Sequence, residues 1–395
     1  MDKSKKKLTY QDLFYIIVIL SQILPQFTIL FSDLCLVFAT LVLCRFNKKL
    51  IIFFTPFFII SIIIIVFKDQ YFYKLILSTF RIFFVLNFVF YLKDLSAESS
   101  KKILLFTFIF IFIFTIGSNI LGLLDSAFYI KFLNYWNGEF RYVSRINMVV
   151  AAAEVPGRFS SFFPQPASSG FWHACLLVLL FLIFLDRKKI FLIFLICIVY
   201  FSGNLSKSSI FQYFPIIMIL YFLLYKLYRY PKFNIIIFSM LPFLFTTLTF
   251  VLFNDENNYM YKLINQITGR RFEITGNHYQ SFKDLGFTDY FFGYSFERVF
   301  SYKKALGDNS YLTKLFIGGI IYYISYISFV VLSYFYIMDT FCKDKLDKFT
   351  LSLYFLLMSL VEIGLTGYSQ PQISVLSLSL ICLYFNYKNK VHLIK

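Results

Sequence analysis

The sequence predicts an all-α fold: a polytopic integral membrane protein with about twelve transmembrane helices and two large extracytoplasmic loops. Three observations carry that prediction. Apolar residues make up 59% of the 395-residue chain and charged residues only 15%, against about 25% charged in an ordinary soluble domain. Apolar runs near the length needed to cross about 30 Å of hydrocarbon recur from end to end. Between them the positive charges cluster in every second connection, the alternation of a chain that keeps its basic residues on one side of a bilayer. With 56 Phe, the apolar surface exceeds what one globular core buries, which excludes a soluble enzyme.

In chain order the expected spans are 11–25, 28–44, 50–67, 73–92, 103–124, 167–185, 190–203, 208–225, 233–253, 311–338, 349–366 and 371–386. The first follows a Lys-rich segment, Lys3 to Lys7, which reads as a start-of-helix charge because no small-residue cleavage site precedes the next span. Pro25 breaks the run before the second span, so a short re-entrant hairpin is the alternative to two crossings. Three basic residues then fall in each of 45–49, 93–102, 187–189, 226–232, 343–348 and 388–395. Both termini are accordingly expected in the cytoplasm, with the two large segments facing the periplasm or cell exterior. The outer connections are short, except for 125–166 and 254–310. These two are rich in Tyr, Asn, Ser and Gly, carry nearly balanced charge and belong to one membrane domain, 1–395. Connections of that length are usually functional.

The net charge of +17 raises nucleic acid as a partner, but each basic cluster is a small helix anchor and no basic face results. The six Cys, Cys35, Cys44, Cys175, Cys197, Cys342 and Cys382, lie in or beside apolar runs without a CxxC pair, so neither a disulfide framework nor a zinc site is expected. No Walker motif, GxGxxG, HExxH, GxSxG or DxD pair occurs. Any chemistry is therefore expected to proceed without a nucleotide, a metal or another cofactor.

Three constellations have the residue types for chemistry on an anionic, sugar-bearing substrate. The first, Pro156-Gly157-Arg158 through Phe163-Pro164-Gln165-Pro166, leads into a span. Pro and Gly impose an irregular backbone there, and Arg158 suits two parallel hydrogen bonds to a phosphate; interfacial anchoring is the plainer reading. The second, Ser202-Gly203-Asn204-Leu205-Ser206-Lys207-Ser208-Ser209, sets hydroxyls and one cation beside a fresh helix start. A simple hairpin turn explains it almost as well. The third lies in 254–310: Gly269-Arg270-Arg271-Phe272-Glu273, Asn277-His278, Phe292-Gly293-Tyr294-Ser295 and Gly307-Asp308-Asn309-Ser310-Tyr311, before Gly318-Gly319. Asp308 is placed to take a proton from a sugar hydroxyl or orient it, or simply to cap the helix beginning at Tyr311. Arg81 falls mid-span, where a charge costs about 2.5–3.5 kcal/mol and faces a partner or a wet cavity. Glu362 is a candidate counter-charge. His173, on a span face, reads as packed or hydrogen-bonded.

In this order, with two long outer loops, these motifs resemble the O-antigen and capsular polysaccharide polymerases of the Wzy type, within the superfamily shared with the O-antigen ligases. The likeness rests on Gly157-Arg158 and Phe163-Pro164-Gln165-Pro166, Ser206-Lys207-Ser208, Gly269-Arg270-Arg271, Phe292-Gly293-Tyr294, and Asp308-Asn309-Ser310-Tyr311 with Gly318. The superfamily often has Arg where this chain has Lys207. Ligases typically have His where it has Asp308. The resemblance implies a metal-independent glycosyltransferase that joins undecaprenyl-diphosphate-linked oligosaccharides at the outer face of the bacterial cytoplasmic (inner) membrane, with Arg158, Lys207, Arg270, Arg271 and Arg81 on the diphosphate. Asp308 is then the candidate to deprotonate or orient the acceptor hydroxyl, with His278 and Glu273 in reserve. A chain-length regulator and a flippase are the implied protein partners. The rivals are a ligase and a flippase or exporter of the same lipid-linked unit; a transporter would keep its charges inside the bundle and its outer loops short.

Overall fold

Each of the twelve expected apolar segments coincides with a helix. The computed structural model describes residues 9–21, 29–42, 46–68, 72–137, 159, 161, 166–187, 189–224, 230–252, 286–293, 310–364 and 371–392. The helices are α1 (Tyr10–Ser21), α2 (Ile29–Val42), α3 (Lys48–Lys68), α4 (Phe72–Tyr91), α5 (Ala97–Leu124), α6 (Ser126–Asn137), α7 (Pro166–Arg187), α8 (Ile190–Asn204), α9 (Ser209–Leu224), α10 (Pro231–Leu252), α11 (Phe287–Phe292), α12 (Ser310–Phe341), α13 (Lys345–Gly364) and α14 (Pro371–His392). No strand occurs among the described residues. Helices α6 and α11 fall inside the two expected outer loops.

Short polar residues set the helix starts. Thr9 and Asp12 exchange bonds at α1, with Asp12 N–H donating to Thr9 Oγ1 at 3.1 Å and Thr9 N–H to Asp12 Oδ2 at 3.0 Å, a reciprocal cap. Asn47 Oδ1 accepts from the Lys49 and Leu50 amides at α3, and Ser96 caps α5 through Ser99 N–H. Asp125, extended at φ −146°, ends α5, and its carboxylate accepts from Phe128 N–H at 2.9 Å to start α6.

Four segments among the described residues are long and apolar enough to cross a membrane: Lys48–Val66, Ala97–Leu124, Ser168–Arg187 and Ile317–Phe341. Their outward faces, and those of the shorter helices, are greasy. Ile52 and Val66 on α3, Ile113 on α5, and Ile190, Phe191 and Phe194 on α8 are all exposed. Contiguous exposed apolar surface of this kind needs a lipid solvent.

Helices α7, α13 and α14 form the centre: Phe171–Leu180, Thr350–Ser359 and Ser377–Phe385 are buried without interruption. Around them α5 and α4 pack on α14, α8 and α9 on α7, and α10 on α13, while α3 joins α4 to α12. An aromatic seam fills that last junction, with Phe54 4.7 Å from Phe83 and 5.3 Å from Phe329 between ring centroids.

One end of the bundle collects the basic connections and is laced by polar side chains. Lys388 on α14 reaches Asp347 at 2.8 Å, Asp344 at 3.1 Å and Asp186 at 3.3 Å, and Tyr384 O–H donates to Asp186 at 2.5 Å. Asn386 Nδ2 donates to the Leu92 and Leu95 carbonyls and to Ser100 Oγ. Asn389 donates to the Phe341 carbonyl, Lys232 to Asp339 and Asn47 to Tyr336. Burial opposes the Lys388 charge, but its bond to Asp347 and the Asp347 and Asp186 charges outweigh that and hold its ammonium above the ordinary lysine value.

Candidate functional site

At the opposite end, the tail of the first long connection is tied to the small-residue turn after α8. Phe159 N–H donates to the Leu205 carbonyl at 2.8 Å. Beside this bond lies a buried polar network in which α5, α6, α7 and α8 all take part. Tyr129 O–H donates to the Ser161 carbonyl at 2.8 Å, and the Ser161 and Ser169 hydroxyls are 2.8 Å apart. His173 Nδ1 lies 2.7 Å from the Ser169 carbonyl, and its Nε2 lies 2.9 Å from Ser202 Oγ. A carbonyl only accepts, so the ring proton belongs on Nδ1 and Ser202 O–H donates to Nε2. Asn119 Nδ2 then donates to Ser202 Oγ at 2.9 Å and to its carbonyl at 3.0 Å. Every bond in this assignment has one donor and one acceptor. The buried Asn119 Oδ1 has no hydrogen-bond partner among the described residues.

The turn itself is tightly wound. Ser206 and Lys207 N–H donate to the Gly203 and Asn204 carbonyls at 3.1 Å each, and Ser206 Oγ donates to the Gly203 carbonyl at 2.7 Å. Lys207 sits in the left-handed region at φ 46°, as does Ser161 at φ 54°. Non-glycine residues rarely adopt that conformation, and it concentrates at functional sites. Close approach requires two glycines here: a Cβ on Gly203 would come within 2.3 Å of the Phe211 ring, and one on Gly170 within 2.5 Å of Ser208. The result presents the Lys207 side chain to solvent from a turn bonded to the end of the first long connection.

A second assembly joins α11 to α12. The expected span 311–338 is not one continuous helix: Gly319, at φ 70° and ψ −172°, breaks it. The reason is a backbone-on-backbone contact. A Cβ on Gly319 would stand 2.1 Å from the Phe291 carbonyl oxygen, and one on Gly293, at φ 78°, 2.5 Å from the Ile317 carbonyl oxygen. The Phe292-Gly293 motif is thus seated directly on Gly318-Gly319. The break also brings Lys314 Nζ within 4.3 Å of the Tyr326 ring centroid. In a straight helix those two residues would stand about 18 Å apart along the axis. Lys314 is only 8% exposed, and a buried cation on an aromatic face is a favourable pairing.

Of the expected site residues, Lys207 and Arg81 lie among the described residues. Arg81 is half-buried on α4, which packs on α3 and α14. The Lys207 turn is held instead by α5, α7 and the first connection, so the two cations belong to different packing groups. Arg158, Arg270, Arg271, Glu273, His278 and Asp308 lie outside the described residues, as does the side chain of Glu362. Asn119, Tyr129, Ser169 and Lys314 in these assemblies went unassigned at the level of sequence, whereas Ser161 lay within the first constellation. Only Lys314 carried a signal, being a charge inside an apolar run.

No family model, curated protein or solved structure matches this chain.

Proposed function

We propose that this protein is a polysaccharide polymerase, joining undecaprenyl-diphosphate-linked repeat units at the outer face of a bacterial cytoplasmic membrane. On this reading about twelve helices span the bilayer, both termini are cytoplasmic and the two long connections are extracytoplasmic. The observation that carries the reading is the Phe159–Leu205 bond. It ties the end of the first long connection, next in sequence to Arg158, to the strained turn that exposes Lys207.

The chemistry asks for little more than charge and position. The acceptor sugar hydroxyl forms a bond to the anomeric carbon of the donor glycan, the bond from that carbon to the lipid diphosphate breaks, and the hydroxyl proton passes to Asp308. The departing diphosphate gains negative charge, so cations placed beforehand, with Lys207 and Arg158 foremost, stabilise the transition state. Holding two glycans in line contributes about 7–11 kcal/mol on its own. No step calls for a metal.

The test is incubation of the purified protein with its lipid-linked repeat unit and a chelator, followed by gel separation of the glycans. Wild type is expected to form a ladder, and Arg158→Ala, Lys207→Ala and Asp308→Ala to lose it. A ligase would instead transfer preformed polymer to a different acceptor without lengthening it. A second reading, a flippase of the same unit, is favoured by the break in α12 with Lys314 beside it, since broken helices near charged groups are transporter hardware. Movement of the unit across liposomes with no ladder would replace the polymerase by the flippase.

A further inference from the structure

Asn119 ends a line of buried oxygen atoms that follows α5 where α14 packs on it. Thr107 Oγ1, Thr115 Oγ1 and Asn119 Oδ1 on α5, and Ser379 Oγ on α14, have no hydrogen-bond partner among the described residues, and all four residues are fully buried. Hydroxyls elsewhere in the bundle turn back on their own helix. Thr40, Thr55, Thr340 and Thr350 each donate to the carbonyl four residues earlier, at 3.0, 2.8, 2.7 and 2.8 Å. That bond is open to any threonine inside a helix, yet Thr107 and Thr115 do not make it.

Helix register sorts the four atoms into two pairs. Asn386 Nδ2 donates to Ser100 Oγ at 2.9 Å, which sets the end of α14 against the start of α5, so the two helices run antiparallel. Thr107 lies seven residues on from Ser100, and Ser379 seven residues back from Asn386. Each step is two turns, about 10 Å along the axis, and returns to the same helix face, so these two hydroxyls stand at one level of the seam. Thr115 and Asn119, four apart on α5, are neighbours on one face with Cβ atoms about 5–6 Å apart.

Water is the ligand that suits both pairs. It donates and accepts, so it serves two hydroxyls, and equally a hydroxyl and a carboxamide oxygen that only accepts. An anion has no proton to give Asn119 Oδ1, and an apolar occupant leaves all four oxygens without the bonds they make in solvent. We infer that the α5 seam binds internal water at two sites, one between Thr107 and Ser379 and one between Thr115 and Asn119. Buried waters in proteins serve otherwise unpaired polar groups of this kind. The second site continues through Asn119 Nδ2 and Ser202 into the His173 network. Polar groups then line α5 from Ser100 to Asn119, about 28 Å of helix and close to the depth of the hydrocarbon layer. The inference is independent of the polymerase reading, because it needs only α5, α14 and their buried oxygens.

Solid-state NMR of the full-length, threonine-labelled protein in lipid bilayers reads water contact directly, from the rate at which water magnetisation reaches each threonine methyl. Thr107 and Thr115 are expected to receive it several-fold faster than Thr350, which is as fully buried but bonded to the Leu346 carbonyl. Equal rates at all three overturn the proposal. Thr107→Val and Thr115→Val keep the side-chain shape and remove the hydroxyl. Each is expected to lower the folding equilibrium constant about two- to tenfold, the loss of one hydrogen bond. A gain in stability from either substitution would mean a stranded hydroxyl and overturn the site it belongs to. Unfolding is also compared in sodium chloride and choline chloride at equal concentration, and equal midpoints are expected. Stabilisation by sodium that Asn119→Leu removes would make the occupant a monovalent cation and overturn the assignment to water.

Discussion

Adding one methyl group at Gly319 should unseat α11 from α12. The new Cβ would stand 2.1 Å from the Phe291 carbonyl oxygen, 2.2 Å from its carbon and 2.5 Å from Phe292 N. These are backbone atoms that no rotamer change can move. The residue's own conformation, φ 70° and ψ −172°, is essentially glycine's alone and costs any other residue about 1–3 kcal/mol. Displacing α11 adds an overpacking cost of about 1–3 kcal/mol, so Gly319→Ala is expected to destabilise the protein by about 2–6 kcal/mol. Gly117→Ala supplies the comparison. Gly117 lies inside α5 with nothing within 4 Å of its Cβ position, and alanine there should gain about 0.5–1 kcal/mol. The assay is equilibrium unfolding in mixed detergent micelles, followed by circular dichroism, with amide exchange of residues 287–292 read alongside. If Gly319→Ala proves as stable as Gly117→Ala and exchange at 287–292 is unchanged, the seat of α11 is not as described.

Ser202→Ala should cost about 1–3 kcal/mol, because it leaves His173 Nε2 and Asn119 Nδ2 each short of a buried bond; a double-mutant cycle with His173→Phe is expected to return a coupling above about 0.5 kcal/mol, and strict additivity would refute the network. Lys388→Met leaves the carboxylates of Asp186, Asp344 and Asp347 without their shared cation and should destabilise by about 3 kcal/mol, since Asp347 is fully buried. In the folded protein the Lys388 pKa is raised above the ordinary lysine value of 10.5, so its contribution is complete below about pH 10.5 and is lost as pH rises through the folded value. Melting temperature against pH should show that alkaline loss in wild type and lack it in Lys388→Met. Lys207→Gly relieves a left-handed lysine at φ 46°, worth about 1 kcal/mol, while removing the proposed phosphate contact; unfolding should show equal or greater stability and the glycan gel at least a tenfold loss of polymer.

The helices were legible because their signals are local: run length, charge placement and caps such as Thr9 with Asp12 all sit within a few residues of the element they define. The break in α12 was not, because the apolar run 311–338 continues through Gly318-Gly319, and a glycine pair within such a run reads as ordinary helix packing. What breaks the helix is α11, whose Gly293 arrives from a distant part of the chain and touches only backbone. The buried network shows the same division. Its small polar turn, 202–208, and the packed character of His173 could be read directly, whereas Asn119 and Tyr129 join through tertiary contacts that no spacing within α5 or α6 announces. Lys314 lay between the two cases, visible as an anomalous charge but partnered across twelve residues by a bend that no periodicity encodes.

The central position of α13 and α14 bears on how the protein is made. Asp347 on α13 is fully buried, and so, nearly, are Asn386 and Asn389 on α14; the asparagines bond to Ser100 on α5 and to the end of α12, and Lys388, which holds Asp347, also reaches Asp186 on α7. Buried without those partners, such groups would cost about 1–3 kcal/mol each. In chain order α13 and α14 follow all of these partners. They must therefore be received by a bundle that already holds an open slot between α4, α5 and α7, and the stretch of synthesis between α12 and α14 is when the nascent chain most needs a chaperoning insertase at its side.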